Sequence, residues 1–181
     1  MFTHLKTTSF CVAALIFLFF VNPARGGEAN ENIKLYFSPN GNCEKAIIEE
    51  IEKAKSSIHI AIFNFTNGRI ARALVRACRQ GIDVKVVMDR ERASEVHSKG
   101  RFLENKGIGV KLKKGPSVRK QGDETGLMHN KFAVIDGKVA ITGSYNWTSS
   151  AEKWNYENLL IIPSVRVAEL FEEEFRKLWI K

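Results

Sequence analysis

Between residues 33 and 113, four short runs rich in β-branched and aromatic side chains alternate with three stretches whose apolar residues recur at helical spacing. The runs are IKLYF (33–37), SIHIAIF (57–63), DVKVVMD (83–89) and GVKLK (109–113). After the first, CEKAIIEEIEKAK (43–55) sets Ala46, Ile47, Ile51 and Ala54 at helical spacing, with Asn42 available as N-cap. GRIARALVRACRQG (68–81) does the same with Ile70, Leu74 and Ala77 or Cys78, and Gly81 falls where a helix end calls for a left-handed residue. A third helix is predicted from about Glu91 to Asn105. Strands alternating with helices of this length need crossover connections, so part of the sheet is parallel.

The pattern changes after residue 113. KKGPSVRKQGDETG (113–126) has no periodicity and reads as a long loop, of a length usually tied to function or disorder. HNKFAVID (129–136) and KVAIT (138–142) read as two strands joined through Asp136-Gly137, a strong hairpin pair. YENLLII (156–162) is a further strand that Pro163 ends. Residues 164–179 make an amphipathic helix with Val167, Leu170, Phe171, Phe175 and Leu178 on one face. The expected architecture is an α/β domain over residues 27–181, with a mixed, partly parallel β-sheet flanked by helices. At 181 residues and 44% hydrophobic, the chain can bury such a core as a single domain.

The first 26 residues stand apart: Lys6, then the apolar run FCVAALIFLFFV (10–21), then NPARG. This is the layout of a secretory signal, with Ala24 and Gly26 as the small pair before a cut after Gly26. The 12-residue run is short for a membrane span, which needs roughly 20 residues. The expectation is export to the periplasm or medium. An uncleaved run would instead anchor the domain to the membrane through residues 10–21. Removing Lys6 and Arg25 from 28 basic residues leaves 26 against 20 acids, a net +6 that suits a polyanionic partner as well as simple solubility. Cys43 and Cys78 remain after cleavage, as a disulfide or as two buried thiols, and their spacing resembles no metal site.

The polar residues of the hairpin carry the functional reading. His129 and Lys131 are two apart on a strand and share a face, while Phe132 and Val134 point to the other. Two neighbouring cations repel unless an anion lies between them, and a phosphate meets that need. Beside a cation, histidine favours its neutral form, which can attack phosphorus or accept a proton, and Lys131 can neutralise a phosphoryl oxygen. Ser144 and Asn146 can donate hydrogen bonds to phosphate, and Gly143 allows close backbone approach. Asp136 and Glu157 are the carboxylates placed to orient an imidazole. Lys111, Lys113, Lys114, Arg119 and Lys120 form a basic group that can hold a polyphosphate backbone or simply solvate the loop. Trp147, Trp154 and Tyr156 can stack on nucleobases or pack in an interface.

His129, Lys131, Asp136, Gly143, Ser144 and Asn146 spell H-x-K-x4-D-x6-G-S-x-N, which resembles the motif of the phospholipase D superfamily, with Glu157 where that family places a further carboxylate. The likeness extends from about Ile33 to the C-terminus, and is greatest to small single-motif members: exported bacterial nucleases, short bacterial phospholipases D and the mitochondrial cardiolipin hydrolase or piRNA nuclease group, whose Cys/His zinc insertion this sequence lacks. The resemblance implies attack of one histidine on phosphorus, protonation of the leaving oxygen by a second histidine from another motif copy, and hydrolysis by water without metal or cofactor. His97, Lys99 and Glu104 mimic a second motif, but they fall in a predicted helix and no Gly-Ser-x-Asn follows. His4 and His59 have no lysine two residues on. The resemblance therefore implies a homodimer with His129 of both copies at the two-fold axis. An endonuclease on DNA or RNA is the expected activity; a phospholipase D on lipid head groups and a non-catalytic nucleic-acid or membrane-binding module are the alternatives.

Overall fold

The computed structural model describes residues 32–116 and 126–180. Seven strands form one sheet: β1 (Lys34–Ser38), β2 (Ser57–Ile62), β3 (Asp83–Asp89), β4 (Gly109–Lys113), β5 (Lys131–Ile135), β6 (Val139–Gly143) and β7 (Glu157–Ile162). Their order is β1-β7-β6-β5-β2-β3-β4. β2, β3 and β4 pair in parallel, while β5 pairs antiparallel with both β2 and β6, and β7 antiparallel with β6 and β1. The sheet is mixed, as the sequence pattern predicts. In this arrangement the C-terminal ends of β1, β2, β3, β4 and β6 and the N-terminal ends of β5 and β7 lie along one edge.

Helices cover both faces. α1 (Cys43–Lys53) and α2 (Gly68–Arg79) bury Ile47, Ile51, Ile70 and Leu74 against Ile58, Ile60, Val86 and Ile141 of the sheet. The opposite face, with Ala61, Val87, Phe132 and Val134, is covered by Ala168 and Phe175 of α6 (Val165–Ile180). His59 ties that helix to the sheet. Its ring stacks on Phe175 at 4.7 Å, and its Nδ1 lies 2.9 Å from both carboxylate oxygens of Glu172. It is a structural histidine. Asp136 and Gly137 adopt φ of 55° and 63° at the centre of the turn that the Lys138 N–H closes on the Ile135 carbonyl at 2.9 Å, and three residues separate the paired Ile135 and Val139.

Several local expectations are corrected. The helix expected over 91–105 is two short ones, α3 (Arg90–Ser94) and α4 (Gly100–Glu104), separated by extended backbone at Glu95. His97 and Lys99 thus lie in a turn, not a helix, and they still do not occupy a strand as His129 and Lys131 were expected to. Asn42 sits in the left-handed region and makes no side-chain cap, whereas Asn67 caps α2 through Arg69 and Ile70 N–H groups. Leu170 is exposed on α6, and Ala168 takes the buried place. A short helix, α5 (Ser149–Lys153), is set by the Thr148 cap and by the buried Ala151. Cys43 and Cys78 are both free, and burial, with Glu152 nearby, pushes the Cys43 thiol up to about 11. The N-terminal 26 residues, with the apolar run 10–21, lie outside the described residues; among those described, no helix is long and apolar enough to cross a membrane.

Candidate active site

The strand edge defined above collects most of the residues singled out by the motif. β5 starts at Lys131, opposite Ile62 at the end of β2, so His129 and Lys131 project where two chain directions meet. The Lys131 ammonium lies 3.3 Å from Nδ1 and 3.4 Å from Nε2 of His129, and donates to the His129 carbonyl at 2.9 Å. The imidazole packs on Phe63 with ring centroids 4.3 Å apart, and the Lys131 ammonium stands 5.2 Å from the same ring. Burial against this apolar neighbour, reinforced by the Lys131 charge and opposed by Asp89, holds His129 below the ordinary histidine value. Burial likewise lowers the Lys131 ammonium, against the pull of Glu157.

Glu157 opens β7 on the same edge. It accepts from the Ser144 hydroxyl at 2.6 Å and from the Asn155 amide at 3.1 Å. The Ser144 oxygen in turn accepts the Asn158 N–H at 3.1 Å. Among the described residues, neither Glu157 nor Asp136 hydrogen-bonds the His129 ring, so the orienting task expected of them is not carried out within one chain. Asn146 stands on the following loop with its carboxamide oxygen buried and without a partner among the described residues, as does Asn64 after β2.

Three of the expected site residues have other duties. Asp136 sits at the far end of β5 and accepts from the backbone N–H groups of Lys55, Ser56 and Ser57 and from the Ser56 hydroxyl, at 2.8 to 3.1 Å. It anchors the α1–β2 connection and is separated from His129 by the length of the strand. Trp147 is 2% exposed and packs edge-on against Phe65, so it belongs to the core and not to a base-stacking surface. At Gly143, φ is 150°, and a Cβ would lie 2.2 Å from the Asn158 carbonyl oxygen; its bare Cα serves the approach of β7. Trp154 and Tyr156 are 76% and 92% exposed next to Glu157 and stay available for contact.

Asp89 is the residue that sequence reasoning missed. Its buried carboxylate caps α3 through Glu91 and Arg92 N–H groups and accepts the Met128 N–H at 3.1 Å, fixing the segment that enters His129. An aspartate between an apolar strand and a helix is an N-cap signal, and that signal was present in VKVVMD. Beside His129 opens a cavity of about 620 Å³, lined by Lys113, Lys114, Leu127, Met128 and Leu178. Lys113 and Lys114 thus face the site as expected, although Lys114 also pairs with Glu91 at 3.3 Å. Lys111 instead donates to the Trp179 carbonyl and stands 4.8 Å from that ring's centroid, and Arg119 and Lys120 lie outside the described residues.

An α/β/α domain with a histidine–lysine pair on its strand edge, backed by a serine–glutamate bond, defines the class. Residues 47–179 match the family described as "Cardiolipin synthase, PLD-like domain", and the chain belongs to that family within the phospholipase D superfamily. It is 34% identical over 143 residues to phospholipase D of Rickettsia prowazekii, covering 79% of this chain and 65% of that protein. The chain thus spans slightly less than two thirds of that relative. Among solved structures, NucT from Helicobacter pylori superposes with a TM-score of 0.78 at 29% identity, over 82% of this chain and 96% of that one. The phospholipase D family member Nuc from Salmonella typhimurium gives 0.70 at 29% identity, over 82% and 94%.

Proposed function

We propose that the chain is a metal-independent phosphodiesterase that cleaves DNA or RNA through a phosphohistidine at His129, in an active site completed by a second copy of itself. The observation that carries this reading is the neutral-leaning imidazole of His129 beside the Lys131 ammonium on an accessible strand edge. A ring nitrogen of His129 attacks phosphorus, and Lys131 balances charge on the non-bridging oxygens. The leaving oxygen departs with a proton from the second copy's imidazole. Water then attacks the phosphohistidine, returns a proton to that imidazole and frees His129. Among the described residues no second histidine packs on or bonds to His129, which is why the reading needs a homodimer. The exposed Trp154 and Tyr156 supply surface for the substrate or the second copy.

Lys113 and Lys114 on the adjoining cavity, with the net positive chain, favour nucleic acid. Export, with the domain in the periplasm or medium, fits the N-terminal layout and remains part of the proposal. The second reading is a phospholipase D on lipid head groups, favoured by Leu127, Met128 and Leu178 in the same cavity and by the name of the Rickettsia relative. Assays in excess EDTA on bis(p-nitrophenyl) phosphate, single-stranded DNA, duplex DNA, RNA and phosphatidylcholine or cardiolipin vesicles separate them. Expected are turnover of the small diester and of nucleic acid, with steep loss at higher salt. Hydrolysis of vesicles alone would move the chain to the lipid reading, and turnover of nothing would leave a binding module.

The pH profile offers a second check. Because one imidazole must be neutral to attack and the other protonated to donate, kcat/KM follows a bell, and the apolar and cationic surroundings of His129 shift the midpoint of its rising limb below the ordinary histidine value. Lys131→Met removes a positive neighbour, favours the protonated ring and moves that midpoint up, while lowering the rate about 100-fold or more. An unmoved midpoint in the residual activity would show that Lys131 does not act on His129.

A further inference from the structure

On the α1–α2 side of the same edge, a second cavity of about 430 Å³ opens between α1, α2 and α5. We infer that it holds a backbone phosphate of the bound strand, outside the scissile link, through Arg72 and Lys153 with Lys45 and Arg69 on its rim. The inference rests on the nucleic-acid reading above and adds a binding subsite to it. All ten residues that line the cavity are charged, polar or glycine. No aromatic ring is there to stack on a base and no apolar side chain to enter a lipid surface, so the chemistry that fits is the phosphodiester backbone, held without regard to sequence.

The acids in the cavity are already engaged. Glu44 accepts from the Asn67 amide and pairs with Arg69 at 2.9 Å. Glu152 accepts the Glu44 N–H at 2.9 Å and the Tyr145 hydroxyl at 2.8 Å. Among the described residues Arg72, Lys99 and Lys153 form no ion pair, while Lys45 pairs only with Glu49, at 3.8 Å. Arg72 and Lys99 converge over Gly68, where an added Cβ would meet Arg72 Nη1 at 3.3 Å and Lys99 Cε at 4.0 Å. The lysine of the motif-like His97-x-Lys99 pair thereby finds a place beside this cavity and not in a second catalytic half.

The cavity is joined to the active site by the loop that carries Asn146. Thr66 and Asn67 N–H groups both donate to the Trp147 carbonyl, at 3.0 and 2.9 Å, and Ser149 of the same loop lines the cavity. A strand cut at His129 therefore has an adjacent basic recess for its continuing backbone.

The test compares wild type with the Arg72→Gln/Lys153→Gln double variant, both positions being exposed. Binding of a labelled single-stranded oligonucleotide is followed by anisotropy across a salt series, and turnover of bis(p-nitrophenyl) phosphate reports the intact catalytic edge. Expected are about ten-fold weaker binding near 0.1 M salt and a salt slope smaller by about 1.4, from two lost contacts at about 0.7 each on single strands. Small-diester turnover stays unchanged. Unaltered affinity and slope would overturn the inference, as would an equal fall in small-diester turnover, or a loss confined to phosphatidylglycerol vesicles. A wild type that binds with the variant-sensitive slope yet turns over no diester would sink the phosphodiesterase reading and leave this subsite standing.

Discussion

His129→Ala lowers phosphodiester turnover at least about 10⁴-fold, to the level expected when the nucleophile of a covalent pathway is removed. The side chain is accessible, so the variant folds, and the loss is chemical. Its structural surroundings point the same way: the ring is backed by Phe63, its entry segment is fixed by the Asp89 bond to Met128, and Lys131 stands against it. Mixing the variant with wild type gives a sharper result. If two imidazoles from different copies are needed, random exchange at equal amounts leaves about one quarter of the dimers active. Independent monomers would leave about half. The measured dependence on wild-type fraction is therefore quadratic in this account, and a linear one would show that each chain works alone.

Asp136→Ala acts on folding. The carboxylate accepts three backbone N–H groups and a hydroxyl from the α1–β2 connection, at a residue whose φ is 55°. Losing those bonds, and placing alanine in the left-handed region, costs about 3 kcal/mol of stability. Turnover per folded molecule stays near wild type, because Asp136 is at the other end of the strand. Burial alone would raise this carboxyl, but the bonds from Ser57, Ser56 and Lys55 outweigh it and hold it below the ordinary value of 3.8. A depressed carboxyl contributes stability that is complete above its unfolded value and is lost as pH falls through its folded value. The acid-unfolding midpoint therefore rises in Asp136→Ala, while the difference between the proteins shrinks below the folded value to the pH-independent cost of alanine at positive φ. A variant that melts normally but loses turnover would return Asp136 to the active site.

The contrast between these residues shows what could be read from sequence. The strand runs, the two long crossover helices and the Asp136-Gly137 turn were legible because each depends on local periodicity or on one φ preference. The pairing of His129 with Lys131 was legible for the same reason, since residues two apart on extended chain share a side. Asp136 was misread through its place in the motif, although seven residues of extended chain span about 23 Å and already separate it from His129. Trp147 looked free because its loop is polar on both sides; its burial depends on Phe65, which is distant in sequence. Gly143 was assigned to an anion, and only the register with β7 shows that the Asn158 carbonyl needs the space. α5 and the break between α3 and α4 are too short for periodicity to show, and they rest on tertiary contacts.

The covalent intermediate tests the central claim most directly. Protein mixed with a slow diester substrate in EDTA, quenched in alkali and digested, is predicted to carry one phosphoryl-bearing adduct on the peptide containing His129, absent from His129→Ala. Robust turnover with no adduct on that peptide, or with the adduct on another residue, would contradict the account.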